Sequence, residues 1–241
     1  MKVICILQPG YLPWLGFFEQ MLRCHQFVIY DDVQYDKHGW RNRNRIKGPK
    51  GPVWLTVPVI TKGEKRLVNQ VEIDPTQPRW AKKHLGTLRQ HYSKAPFFND
   101  YFPVLEEILN RGWHRLLDLD LEIIRVMAGW LGLKSNLVLS SELGIAPSDP
   151  SGRLVEIVGS LGGEVFYEGA SGRNYLNLEL FRRNGLQVIF QDYQPAPYPQ
   201  RYEGFQPFLS ALDLLFNCGP ESLRYLPGLN PPDLPPVGVE A

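Results

Sequence analysis

The chain has 241 residues, of which 44% are apolar and 21% charged, and this balance excludes wholesale disorder. Lysine and arginine number 26 against 25 aspartate and glutamate residues, so the net charge of +1 argues against a chain-wide attraction to nucleic acid or membrane. The 22 glycines, 21 prolines and 12% aromatic residues predict many shaped turns and a site with flat, rigid walls.

Three cysteines, Cys5, Cys24 and Cys218, lie in apolar stretches without metal-ligand spacing, which predicts buried thiols in a reducing cytoplasm. The apolar run at 3–7 is too short for a signal peptide. No window approaches 18 consecutive apolar residues, so we expect no membrane span and a cytoplasmic location.

Apolar and β-branched runs predict strands at 3–7, 27–30, 53–59, 137–139, 165–167 and 186–190, with a short one at 71–73. Helical periodicity and capping residues predict a helix at 14–24, three helices within 78–132, and one that begins at Ser148-Asp149-Pro150 and runs to Leu161. Further helices are predicted at 175–184, 209–216 and 220–226. Residues 35–52 and 194–207 are expected to be loops, and the chain from 230 to be loose.

The alternation of strands and helices predicts an α/β fold with a mostly parallel sheet flanked by helices, in a Rossmann-like layout. We expect one α/β domain over 1–226, interrupted by a helical insertion at about 78–132, and a Pro-rich tail over 227–241.

Polar residues directly follow the predicted strands, where open α/β sheets bind ligands. They include Gln8, Tyr11, Trp14, Asp31, Asp32, Ser171, Gly172, Arg173 and Tyr175. The aspartates suit Mg²⁺ binding or general-base catalysis, but they suit a turn cap or an ion pair equally well. The glycine-rich turn at 169–173 suits phosphate binding at a helix start, with a serine-capped turn as the alternative.

The segment 36–50 carries six basic residues and one acidic residue. Its candidate binding residues are Trp40, Arg41, Asn42, Arg43 and Asn44. Guanidinium groups bind phosphate in a bidentate manner, the asparagines suit sugar hydroxyls, and the indole suits a ring. A solvated basic loop and a polynucleotide contact are the alternatives.

His84 and His91 lie seven residues apart on one helical face, but two histidines do not complete a metal site. No Walker A, G-x-G-x-x-G or G-x-S-x-G motif is found. The residues therefore identify no metal site and no cofactor, and they set no oligomeric state.

Several long motifs resemble the WbqC-like protein family over about residues 2–226. They are Gln8 to Gly16, Asp31 to Tyr35, Trp40 to Asn44, Trp54 to Pro58, Tyr167 to Leu176, Tyr198-Pro199-Gln200 and Leu209 to Gly219. The resemblance implies a protein of O-antigen or other surface-glycan biosynthesis. It also adds Tyr198 and Gln200 to the candidate substrate-binding residues.

The layout of strand, Gln8-to-Gly16 motif and helix is also similar to the opening of adenylyl-transferring HUP-type folds. Pro13 and Gly16 or their neighbours stand where those folds have catalytic histidines. The likeness therefore supports nucleotide binding but not classical adenylyl transfer.

These observations predict a transferase of cell-surface polysaccharide biosynthesis that binds a nucleotide- or phosphate-activated substrate. Asp32 is the predicted base or metal ligand, and Arg43 is predicted to neutralise charge in the transition state. The expected partner is a small phosphate-bearing or sugar substrate rather than nucleic acid. The alternatives are a noncatalytic binding or scaffold protein of the same pathway, and an enzyme that acts on a tRNA-borne substrate.

Overall fold

A five-stranded parallel sheet forms the centre of the computed structural model, which describes residues 1–37, 39–60, 66–134, 136–146 and 149–239. The strands are β1 (Val3–Leu7), β2 (Gln26–Ile29), β3 (Arg43–Gly48), β4 (Gly51–Thr56), β5 (Leu137–Leu139), β6 (Val165–Glu168) and β7 (Gln187–Phe190). The α-helices are α1 (Leu15–Arg23), α2 (Trp80–Tyr92), α3 (Phe98–Asn110), α4 (Leu116–Trp130), α5 (Pro150–Ser160), α6 (Leu178–Arg183) and α7 (Ala211–Cys218).

The sheet order is β5-β2-β1-β6-β7, and every pairing within the sheet is parallel. The chain builds outward from β1 through β2 to β5, then returns to the other side of β1 with β6. The strand order therefore reverses between β1 and β6, and their carboxyl ends meet at this switch point. The predicted α/β fold with a parallel sheet is confirmed.

Alternating side chains bury the sheet on both faces. Cys5 points into a large core shared with α1, α2, α3, α4 and α7, whereas Ile4 and Ile6 pack on α5 and α6. The helices 80–130 follow the predicted positions and lie between β4 and β5 in the chain. Within the described residues, every helix is too short or too polar to cross a membrane.

The prediction of a loop over 35–52 is wrong, because Arg43–Gly48 is a strand that pairs with Gly51–Thr56 in an antiparallel hairpin. The predicted strand at 53–59 thus belongs to this hairpin and not to the main sheet. The sequence pattern did not predict the hairpin, because its inward-facing positions include a buried asparagine, Asn44, where strands usually carry apolar residues.

Other boundaries also differ from the prediction. Residues 71–73 make only isolated bridges, and the predicted helix at 220–226 is a 3₁₀ helix over Gly219–Arg224. The helix expected at 175–184 begins at Leu178, because the Asn177 side chain accepts from the Leu180 N–H and caps it there.

The C-terminal segment is ordered against α1 rather than loose. The N–H groups of Val237 and Gly238 donate to Leu22 O at 3.0 and 2.9 Å, and Arg23 Nη1 donates to Leu234 O at 2.7 Å. At the start of α5, Asp149 accepts from the Gly152 N–H at 2.9 Å. The other predicted capping residue, Ser148, lies outside the described residues.

Candidate functional site

A cavity of about 400 Å³ opens at the carboxyl end of β1. We call it the switch-point cavity, because β1 borders the point where the strand order reverses. Its lining residues are Leu7, Gln8, Gly10, Pro13, Trp14, Phe17, Trp40, Arg41, Asn44, Arg45 and Phe208.

Arg41 fixes the chain that leaves β1. Its Nη1 donates to the carbonyl oxygens of Gln8 and Pro9 at 2.9 and 3.2 Å, in a stretch without regular hydrogen bonding. Gly10 approaches the neighbouring segment so closely that a Cβ there would lie 2.8 Å from the Trp40 carbonyl oxygen. A glycine is therefore required at position 10 for the two segments to meet.

The β3–β4 hairpin forms one wall of the cavity and is fastened at its inner edge. Asn44 Nδ2 donates to Leu12 O at 2.8 Å, and the Ser210 N–H donates to Arg45 O at 2.8 Å. These contacts join the segment after β1, the hairpin and the start of α7. The cavity is thus assembled from three distant stretches of the chain.

Aromatic rings supply the flat walls predicted from the composition. The Trp14 ring lies 5.9 Å from that of Phe208, centroid to centroid. On the hairpin, the Arg45 guanidinium stands 5.0 Å from the centre of the Trp40 ring, and Trp40 lies 5.0 Å from Trp54. Guanidinium groups and aromatic faces therefore occur together in the cavity lining.

The lining of the switch-point cavity is cationic. Arg41 and Arg45 are the charged residues in it, and among the described residues no carboxylate lines the wall. Burial lowers the pKa of Arg41, while the charge of Asp120 in α4 acts in the opposite direction. Asp120 is itself buried, and burial raises its pKa well above the ordinary value. The cavity thus suits an anionic ligand.

The structure brings only some of the predicted site residues together. Gln8, Trp14, Trp40, Arg41 and Asn44 line the switch-point cavity.

Tyr11 and two hairpin residues make other contacts. Tyr11 Oη lies 2.9 Å from His84 Nδ1, and Asn42 Nδ2 donates to Val57 O at 2.8 Å. The Arg43 guanidinium lies over the Trp54 ring at 4.8 Å. His38, in the same basic segment, lies outside the described residues.

The aspartate pair after β2 lies in a separate polar cluster at the carboxyl end of β5. Asp31 accepts from the Ser140 and Ser141 hydroxyls at 3.0 and 2.7 Å. Asp32 accepts from Ser140 Oγ at 2.5 Å and forms a close ion pair with Arg153 of α5. Both carboxylates are thus satisfied by protein groups, as in the ion-pair alternative considered for the sequence.

The predicted residues after β6 lie on a short 3₁₀ helix, Ala170–Asn174, instead of at an α-helix start. Ser171 is exposed, and the Arg173 guanidinium stacks over Phe190 at 4.5 Å. Gly172 packs so tightly on Glu168 that a Cβ would lie 2.4 Å from its Cγ. The glycine-rich turn thus leads into a 3₁₀ helix, and phosphate binding there stays a prediction.

Two residues from the C-terminal motifs serve a buried network. Gln200 Nε2 donates to the Asp213 carboxylate at 2.9 Å, and Tyr198 also hydrogen-bonds Asp213. Tyr92 Oη donates to the other Asp213 oxygen at 2.5 Å. These contacts satisfy a carboxylate buried in α7, and a substrate-binding role for Tyr198 and Gln200 stays a prediction.

Glu168, at the carboxyl end of β6, is a site candidate missing from the sequence-based set. Its side chain is buried, and burial raises the pKa of its carboxyl to about 7 against hydrogen bonds from Tyr175 and the Gly169 N–H that lower it. Tyr175 Oη lies 2.9 Å from Glu168 Oε1. A carboxyl group that titrates near neutrality can accept or donate a proton. Its position directly after a predicted strand was the available signal.

Arg45 and Phe208 also line the cavity without having been predicted. Arg45 lies in the same basic segment as Arg41, so its spacing was visible in the sequence. Phe208 had no local signal, because it reaches the cavity from the far end of the chain, where its carbonyl accepts from Arg45 Nη2 at 3.2 Å. Over the described part of the chain, no cluster of three or more His, Cys, Asp or Glu side chains is arranged to hold a metal ion.

Comparisons with known proteins give a consistent result. The family model described as the WbqC-like protein family matches residues 8–225. Uncharacterized protein Rv1507c of Mycobacterium tuberculosis is 35% identical over 229 residues, which cover 94% of this chain and 98% of that protein. No solved structure matches the chain.

Proposed function

Because the chain belongs to the WbqC-like protein family, we propose that it is a transferase of cell-surface polysaccharide biosynthesis that binds a nucleotide- or phosphate-activated substrate in the switch-point cavity. The link to surface glycans follows from the family resemblance. The ligand class follows from the cavity, where Arg41 and Arg45 stand beside Trp14 and Trp40.

The pairing of guanidinium groups with aromatic walls is the observation that carries the proposal. Phosphate oxygens accept bidentate hydrogen bonds from guanidinium groups, and the tryptophan faces pack on a base or sugar ring. In the transfer, a bond forms between the acceptor hydroxyl oxygen and the donor carbon while the bond from that carbon to the phosphate oxygen breaks. The phosphate group leaves with the electron pair, and the arginines stabilise its charge.

The acceptor proton must pass to a base. Glu168 is the candidate base because burial raises its pKa to about 7 at the end of the strand next to β1, although it does not itself line the switch-point cavity. Asp32 and Arg43, the catalytic residues predicted from the sequence, remain part of the proposal, although Asp32 is engaged by Arg153 and Arg43 stacks on Trp54.

Calorimetric titration with UDP-glucose tests the binding step. We expect the wild-type protein to bind, and Arg45→Ala to weaken the affinity about tenfold or more through loss of a charged contact. Arg182→Ala is the matched control, since Arg182 is exposed on α6, pairs with Glu179 and does not line the cavity. Equal affinity in the wild type and Arg45→Ala would contradict the placement of the ligand, and absence of binding would contradict the ligand class.

One observation favours the noncatalytic alternative. Asp32, Tyr198 and Gln200, which the sequence proposed for the site, all have structural partners away from the switch-point cavity. Transfer measured by mass spectrometry, with UDP-glucose and candidate acceptor sugars, separates the two functions. Binding without turnover across donors and acceptors would favour the binding protein.

A further inference from the structure

We propose that a second cavity, at the start of α2, binds a phosphate-bearing sugar. This α2 cavity has a volume of about 410 Å³ and shares no lining residue with the switch-point cavity. Its lining residues are Thr56, Pro58, Thr76, Gln77, Pro78, Arg79, Trp80, Lys83 and His84. Thr56 and Pro58 belong to the motif Trp54 to Pro58, whereas the other lining residues lie outside the motifs described above.

Two cations, Arg79 and Lys83, line the α2 cavity, and the nearby carboxylate of Asp74 is bonded to Thr76 and Gln77 without itself lining the cavity. Arg79 and Lys83 are four residues apart, so they lie on the same side of the helix start. Neither forms an ion pair within the described residues. By contrast, Arg89 in the same helix contacts Glu106 at 2.5 Å. The first turn of α2 adds the partial positive charge of its N–H groups.

The remaining walls are preorganised. Thr76 Oγ1 and Gln77 Nε2 donate to the two oxygens of Asp74 at 2.7 and 3.0 Å, which fixes the turn before α2. The Trp80 ring is held edge-on by His84, with centroids 5.3 Å apart. The cavity therefore joins two cations, a fixed polar turn and an indole wall, which together suit a phosphate carried on a sugar ring.

Tyr11 connects the two cavities. Gly10 and Pro13 on either side of it line the switch-point cavity, whereas the buried Tyr11 side chain points the other way. Its Oη lies 2.9 Å from Nδ1 of His84, which lines the α2 cavity. The segment after β1 is therefore a shared wall. The α2 cavity is therefore a separate binding site on the other side of this segment, and its occupancy does not depend on the proposed function.

Titration with glucose 1-phosphate tests the site, with inorganic phosphate and glucose as comparison probes. All titrations are made in the wild type and in an Arg45→Ala background, and any binding that Arg45→Ala weakens is assigned to the switch-point cavity. We expect glucose 1-phosphate to bind more tightly than either comparison probe. Lys83→Gln and Arg79→Gln should each weaken that binding about tenfold or more.

Lys82→Gln is the matched control, because Lys82 is an exposed neighbour on the same helix that does not line the cavity. Its affinity should equal that of the background protein. Equal weakening by Lys82→Gln and Lys83→Gln would show diffuse surface charge and overturn the proposal, as would absence of binding. Equal affinity for inorganic phosphate would overturn the assignment to a sugar. If the wild type binds glucose 1-phosphate but not UDP-glucose, the proposed function is contradicted and the α2 site is not.

Discussion

The buried carboxyl of Glu168 has a pKa near 7, against an ordinary value of 4.5, because burial disfavours its charged form. Between pH 4.5 and pH 7 the Glu168 carboxyl is deprotonated in the unfolded chain and protonated in the folded chain. The free energy of unfolding therefore falls as the pH rises through this range. Glu168→Gln removes the effect. As the pH rises from 4.5 to 8, we expect the free energy of unfolding of the variant to increase by about 3 kcal/mol relative to that of the wild type. Urea unfolding across this range measures it, and a pH-independent difference would contradict the burial argument.

The β3–β4 hairpin depends on a buried polar contact rather than on apolar packing alone. Asn44→Ala leaves the Leu12 carbonyl without its donor inside the protein, and we expect a loss of about 1–3 kcal/mol in the free energy of unfolding. Asn184→Ala is the control, because Asn184 Nδ2 makes the same kind of bond to Leu180 O at 2.8 Å on an exposed surface. Urea unfolding at one pH compares the two. Equal losses would show that burial of the Asn44 contact is unimportant.

The helical stretch between β4 and β5 shares its core with the rest of the molecule. Its buried apolar side chains form one cluster with those of β1, α1 and α7, and the Phe97 N–H donates to Phe216 O at 3.0 Å. We therefore expect one cooperative unfolding transition, in which the circular dichroism and tryptophan fluorescence curves coincide. We also expect a chain lacking 78–132 to remain unfolded. Two separated transitions would show that the helices form an independent subdomain.

Local patterns predicted most of the regular structure. Strands such as Val3–Leu7 and helices such as Leu116–Trp130 follow from apolar runs and periodicity, which depend only on neighbouring residues. The hairpin strand Arg43–Gly48 was not predicted, because its residues are as polar as those of a loop. Its burial depends on contacts with the distant Leu12 and Ser210. The helix boundary near residue 175 was missed because Asn177 competes as a cap.

The sequence by itself determined the α/β class, the family and the chemistry available after each strand, because these depend on residue type and short spacing. Only the tertiary structure decided which of those residues meet. The strand order places the end of β1 at a switch point and brings Phe208 to Arg45, while Asp32 is drawn to Arg153 instead. Long-range packing and the need to satisfy buried charges select these partners, and neither is encoded in local spacing.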